Sequence, residues 1–304
     1  MVAIETLLGR QHGVVSRQQL LEEVGMAHAA IRWAVQSGRL ERFVGFAYRV
    51  PDHQKPRWEQ LAIAATLLCG PGAALSHSTA ALLWGLEGFK DRKPIHVCTT
   101  SATTPALGDG FEVHRTRRGF ITEERGGLPV TTLARTLLDV SESLGDLELE
   151  LALDSAQHRN PFLEQELDEA IARVKKRSTP GASRILQLLD VRGGVATESP
   201  LETQVRRALR ASGLPPPALQ HDLFDDGRYV MRVDFAWLEH KVALHCDGFG
   251  WHRRRKQFEL DAEQRSTLSA MGWSSVIVTK RMLAGDAWLT QLARTLERSR
   301  PAAP

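Results

Sequence analysis

Cysteine is scarce in this sequence. Its three residues, Cys69, Cys98 and Cys246, are odd in number, far apart and without any CxxC spacing. That excludes a disulfide framework and a cysteine-built zinc finger, and it points to a reducing cytoplasm. Long apolar runs are missing too: no stretch approaches the roughly 18–20 residues that a membrane span needs. The first residues, MVAIETLLGRQHG, carry Glu5 and no long apolar core, which argues against a secretory signal. Neither sign of charge dominates. A net charge of +3 and a pI of about 8.9 permit nucleic-acid binding without demanding it. Internal repeats and low-complexity tracts are absent as well. What is present, 42% hydrophobic and 25% charged residues over 304 positions, is the composition of an ordinary globular protein long enough for two or more domains.

Residues 1–52 read as one small module. A first helix over about 2–10 is followed by GVVS, where Ser16 can cap a second helix running through Val24. Gly25 breaks that helix, and a third, about Ala27–Ser37, ends at Gly38. RLERFVGFAYRV then alternates around Gly45, giving two short strands and a tight turn. This is the layout of a winged helix-turn-helix, whose third helix enters the major groove of DNA. The side chains placed to reach base edges are His28, Arg32 and Gln36, with Arg39, Arg42 and Arg49 near backbone phosphates. Modules of this layout also serve in protein contact, so the pattern alone leaves both partners open.

Residues 53–192 read as an α+β middle domain. Trp58–Leu68 is apolar at helical spacing, and PGAALSHSTAALLWGL starts a helix at Ser76 or Ser78. PIHVCTT and GFEVHRT are strands, and LPVTTLARTLLDVSES opens a helix near Thr131. Helices over about 146–158, 161–177 and 181–191 follow, with KKRSTPG as a loop between the last two. His77 and His114 each stand alone in sequence, which favours hydrogen-bonded structural roles over ligation. Arg115, Arg117 and Arg118 form a small basic cluster at a strand end, read as a solvated loop.

Residues 193–304 read as a further α/β domain of order α-β-β-β-α-β, closed by a last helix over about 285–298. TESPLETQVRRALRASG has a clean helix entry, with Ser199 as cap, Pro200 in the first turn and Glu202 three residues after the cap. That spacing is a sufficient structural reason for Glu202. A strand over about Ala218–Phe224 precedes two more, Tyr229–Trp237 and Lys241–Asp247, that read as an antiparallel hairpin. A period of two puts Arg232, Asp234 and Ala236 opposite Val233, Phe235 and Trp237, and Ala243, His245 and Asp247 opposite Val242, Leu244 and Cys246. Two carboxylates and an imidazole can thus converge on one sheet edge, as a hard divalent cation requires; a merely polar outer face is the other reading. WHRRRKQFELDAEQRSTLSAMG is a basic-to-amphipathic helix and WSSVIVT a buried strand.

The order of elements, with acids on two central strands, resembles the core of the PD-(D/E)xK nucleases. ESPLE, RVDFAW, HCDG followed by WH, then Asp261 and Arg265 followed by GW, resemble the very-short-patch-repair (Vsr)-like endonucleases over residues 197–280. The N-terminal part resembles the AbiEi-type antitoxins over about 5–140, through the winged helix, LSHSTAALLWGL and LPVTTLARTLLD. The nuclease resemblance implies Asp234 and Asp247 as Mg2+ ligands and Glu202 at the edge of the site. His252 would stand as proton acceptor, because an imidazole titrates near neutral pH. Arg253, Arg254, Arg255 and Lys256 follow it, where a nucleic-acid backbone would run. Asp261 and Arg265 are equally readable as a surface ion pair worth about 0.3–0.5 kcal/mol.

One departure matters. Where that family usually places glutamate, this chain has His245, in LHCDG. Losing a carboxylate weakens Mg2+ binding, while imidazole suits transition metals, so Mn2+ becomes a candidate. The expectation is therefore a metal-dependent DNA endonuclease; the alternative is a non-catalytic DNA-binding antitoxin with a degenerate nuclease fold. DNA is the expected partner in both, and the antitoxin resemblance implies a nucleotidyltransferase toxin as a second.

Overall fold

The computed structural model describes residues 3–51, 57–103, 105–117, 119–174, 180–192, 197–247 and 265–299. Helices and three sheets alternate through these residues, so the chain is mixed α/β and falls into two compact units, Met1–Val191 and Arg192–Pro304.

The first unit opens with α1 (Ile4–Arg10), β1 (Val14–Ser16), α2 (Arg17–Glu22), α3 (His28–Gln36), β2 (Glu41–Arg42) and β3 (Ala47–Arg49). Ser16 closes a reciprocal cap with Gln19, its Oγ accepting from Gln19 N–H while Gln19 Oε1 accepts from Ser16 N–H. GVVS, which looks like a connector in the sequence, is a strand: Val14 and Val15 are fully buried and pair with Arg49 and Tyr48. The antiparallel sheet β1-β3-β2 and the three helices bury Leu7, Val15, Leu20, Ile31, Ala34, Leu40 and Tyr48.

The unit continues through α4 (Arg57–Leu68), β4 (Ala74–Leu75), α5 (His77–Trp84), β5 (Ile95–Thr99), β6 (Phe111–Arg115), β7 (Thr122–Arg125) and β8 (Leu128–Thr131). Four helices end it: α6 (Leu133–Ser141), α7 (Asp146–Arg159), α8 (Leu163–Val174) and α9 (Pro180–Arg192). The sheet order is β6-β5-β4-β8-β7, with β5 parallel to β6 and β4 parallel to β8. The helix expected near Thr131 is there as α6, and the LPVT before it is a strand, β8, that the sequence did not mark. Val130 is fully buried beside Leu75, and the helix waits for Thr132, whose hydroxyl accepts from Arg135 N–H. Of the KKRSTPG stretch, residues 175–179 lie outside the described residues, while Pro180 and Gly181 begin α9.

The second unit comprises α10 (Pro200–Ser212), β9 (Ala218–Asp225), β10 (Arg228–Trp237), β11 (Val242–Asp247), a helical stretch α11 (265–270), β12 (Ser274–Thr279) and α12 (Ala287–Arg298). The sheet runs β12-β11-β10-β9, antiparallel except for β11 with β12. Leu201, Val205 and Leu209 of α10 and Trp288, Leu292 and Leu296 of α12 pack with Phe235, Trp237, Val242 and Leu244. Leu268 of α11 packs with Met231, Val233, Ala236 and Ala243.

That partition corrects the simple alternation along β10. Val233 belongs with Ala236, not with Phe235 and Trp237. The strand changes the face it presents at Asp234, opposite Gln220, which has a left-handed backbone at φ 46°. Asp234 Oδ2 accepts from the N–H of Cys246 at 2.7 Å. Both Asp234 and Phe235 therefore lie toward α10.

Candidate functional sites

Three constellations carry chemistry. On α3, Ile31 and Ala34 are buried, which leaves His28, Arg32 and Gln36, spaced four apart, exposed on one face. With Arg17 and Arg42 they line a groove of about 270 Å3 floored by Ile31, Val35 and Tyr48. Arg17 and His28 are tied at 3.2 Å between Nη2 and Nδ1. Arg39 does not join them: its guanidinium packs over the exposed Trp33 ring, 4.6 Å from the centroid. Arg49, expected near phosphates, is half-buried, paired with Glu41 and Gln60, and lies over Phe43. The sequence reading passed over Arg17 and Phe46. Phe46 is a large apolar side chain placed in a turn, 66% exposed, and that mismatch was a legible signal.

Among the described residues of the second unit, Glu202 is buried and Asp234 beside it is half-buried. Ser199 Oγ accepts from Glu202 N–H at 3.2 Å and donates to Glu202 Oε1 at 2.8 Å. Glu202 Oε2 accepts from Glu198 N–H and from Gln220 Nε2, each at 2.7 Å. Gln220 also hydrogen-bonds Asp234. Glu202 is held above the usual carboxylate range by burial, with the charge of Asp234 adding to it. Asp234 is raised by burial too, and Glu198 adds to that, while Cys246 N–H, His245 and Gln220 oppose it. Arg232, which shares the strand, turns to Asp222 of β9, at 2.8 and 3.1 Å. His245 and Asp247 flank Cys246 on β11, paired with Ile277 and Thr279 of β12. His252, Arg253, Arg254, Arg255, Lys256 and Asp261 lie outside the described residues. Arg265 is exposed.

The third constellation overturns the reading of His77 and His114 as solitary. Their rings stack at 3.5 Å, and His96, which the sequence reading did not single out, lies with His96 Nδ1 2.8 Å from His114 Nε2. The parallel pairing of β5 with β6 brings His96 and His114 together, and Ser76 N–H donating to His96 O lays the first residue of α5 over them.

Comparison with known proteins adds three findings. A family model described as a transcriptional regulator, AbiEi antitoxin, matches residues 2–42. Two curated relatives, the uncharacterized proteins MT2308 and Rv2248 from two strains of Mycobacterium tuberculosis, are each 28% identical over 258 residues, 84% of this chain and 93% of their own. The crystal structure of RV2827C protein from the same species is similar at 19% identity and a TM-score of 0.41, over 73% of this chain and 87% of that one.

Proposed function

We propose that this chain is a DNA-binding transcriptional regulator of the antitoxin type, with α3 the recognition helix of a winged helix-turn-helix. The observation that carries this is the exposed face of α3, where His28, Arg32 and Gln36 share one groove with Arg17 and Arg42. It lies within the segment matched by the regulator family. A major groove about 12 Å wide admits a helix edge-on. Arg32 fits the acceptor pair of guanine and Gln36 the acceptor–donor pair of adenine, while Arg17 and Arg42 flank them at phosphate positions. As an antitoxin the protein would hold a toxin partner, and a nucleotidyltransferase is the class proposed. Fluorescence anisotropy with DNA from upstream of the chain's own gene tests the reading. Arg32→Ala is expected to weaken specific binding by about 1–3 kcal/mol. Equal affinity of the unaltered protein for that DNA and for random DNA would refute sequence-specific regulation.

A second reading, a metal-dependent endonuclease of the Vsr-like PD-(D/E)xK kind, is favoured by the Glu202–Gln220–Asp234 arrangement. Two neighbouring carboxylates, both raised by burial, carry negative charge that a divalent cation would offset. The resemblance gives Asp234 and Asp247 as the residues that would hold Mg2+ or Mn2+. Asp234 lies toward α10 with Cys246, whereas the strand period puts Asp247 on the opposite face of β11, so a shared ion would require Asp247 to turn at the strand end. Glu202, its oxygens already engaged, would orient Gln220 beside Asp234. A bound ion would neutralise a scissile phosphate and make its water nucleophilic. Nicking of plasmid DNA in Mn2+ that disappears in Asp234→Asn, with DNA binding retained, is the expected result. Absence of nicking in either metal would remove this reading and leave the first intact.

A further inference from the structure

We propose that His77, His96 and His114 form a binding site for a divalent transition metal of the zinc class, with Glu112 as the fourth donor. One nitrogen from each imidazole lies within 4.8 Å of those of the other two, and the trio is the one such group of three or more donors among the described residues. Glu112 Oε2 stands 3.5 Å from His96 Nδ1 and 4.0 Å from His114 Nε2; it is not grouped with all three nitrogens, and its exposed side chain would have to turn in to complete the set. Three imidazoles and a carboxylate are a four-coordinate donor set, and neutral imidazole suits zinc, copper and nickel.

The surroundings keep the rings in the ligating form. Burial first, then His114, His96 and Arg135, push the pKa of His77 down to about 3. His96 and His114 are lowered by burial as well, with Glu112 opposing. All three are thus neutral at pH 7. His77 Nδ1 meets the buried Ser76 Oγ at 3.0 Å, the kind of contact that fixes the tautomer and orientation of a ligating ring. Ser76 makes no capping bond to α5, so its hydroxyl is placed for the imidazole rather than for the helix. As it stands the stack is face to face, His77 on His114 with 17° between planes. Ligation requires rotations about the side-chain torsions that open the stack into a fan, with one nitrogen of each ring about 2.0–2.1 Å from a common centre. Such a site would clamp the start of α5 to β5 and the edge strand β6.

The test uses the full-length chain without an affinity tag, stripped with chelator and titrated with Zn2+ alone and then Co2+ alone. One ion per chain is expected at this site, with the visible absorption of tetrahedral cobalt. His77→Ala/His114→Ala is expected to lose that ion, and Ser76→Ala to weaken its binding by about 10–100-fold. Asp234→Asn is expected to keep it, which separates this site from the carboxylates of the second unit. Undiminished uptake by the double variant, or loss in Asp234→Asn, overturns the proposal. Should the double variant fail to fold, the unaltered protein decides: its ring resonances of His77, His96 and His114 must shift on adding zinc, and unmoved resonances overturn the proposal.

Discussion

Asp139 on α6 illustrates how one buried carboxylate sets a pH profile. Arg135 Nε donates to it at 2.7 Å, yet burial outweighs that partner and lifts its pKa from 3.8 to about 6. A folded-state value above the unfolded one means that the native chain holds the proton more tightly. Between pH 3.8 and about 6 the folded state therefore carries more protons, and stability falls as pH rises through that window. Each pH unit of the window is worth about 1.36 kcal/mol, a ceiling near 3 kcal/mol. Melting curves of the unaltered protein and Asp139→Asn should differ more in favour of the former at pH 4 than at pH 7, with the difference flat above pH 6. A constant offset across that range would contradict the assignment. Residues of this kind are not legible in a sequence, because the shift comes from what surrounds the side chain. His96 is the same case. Nothing between Ile95 and Val97 marks it, and only the parallel register of β5 on β6 sets it beside His114. Glu202 differs, since its spacing from Ser199 announced a cap that the structure contains.

Elements were legible where local chemistry is strong. The entry of α2 at Ser16 and that of α10 at Ser199 follow from capping spacing, and both caps are made. The second and third helices of the first fifty residues and the hairpin of β10 and β11 were readable from apolar period. Of the short strands, β2 and β3 were readable from the alternation around Gly45, whereas β4 and β1, two and three residues long, and β7, whose four residues are all exposed, were not. The face change on β10 was hidden for another reason, because it depends on Gln220 across the sheet. Two predictions belong at this scale. Ser16→Ala removes the reciprocal cap of a six-residue helix and should cost about 1 kcal/mol in urea unfolding, weakening DNA binding through the displaced Arg17. Gly181→Ala on α9 should cost about 1–3 kcal/mol, since a Cβ there overlaps Ser141 Oγ of α6. The contact is fixed because Arg184, one turn on, donates to Ser141 O and Leu144 O at 2.5 and 2.8 Å, satisfying the end of α6. A glycine in a helix is otherwise unfavourable, and here close approach of two helices accounts for it.

At the scale of the whole molecule, charge decides how nucleic acid would be held under the proposed function. A net +3 over 304 residues is too small to draw DNA to the chain as a whole. Attraction must come from where cations are gathered, and among the described residues of the first unit Arg17, Arg32 and Arg42 share one groove. Each phosphate contact releases counterions, so the logarithm of affinity falls with the logarithm of salt by about 0.9 per contact. If Arg42 holds a phosphate, Arg42→Ala should reduce that slope by about 1 and weaken specific and random DNA alike. Arg32→Ala should behave otherwise, with its loss concentrated on the specific sequence. Arg49→Ala should leave the slope unchanged, because that guanidinium is committed to Glu41 and Gln60. Anisotropy titrations of the full chain at several salt concentrations separate these outcomes. A slope unaltered by Arg42→Ala would move the DNA off this face. The sequence pattern put Arg42 and Arg49 in one class, near phosphates, and Arg32 in another, at base edges. What separates Arg49 from Arg42 is its partner, because a charge that must neutralise a phosphate has to be available to it, and Arg49 is committed to Glu41.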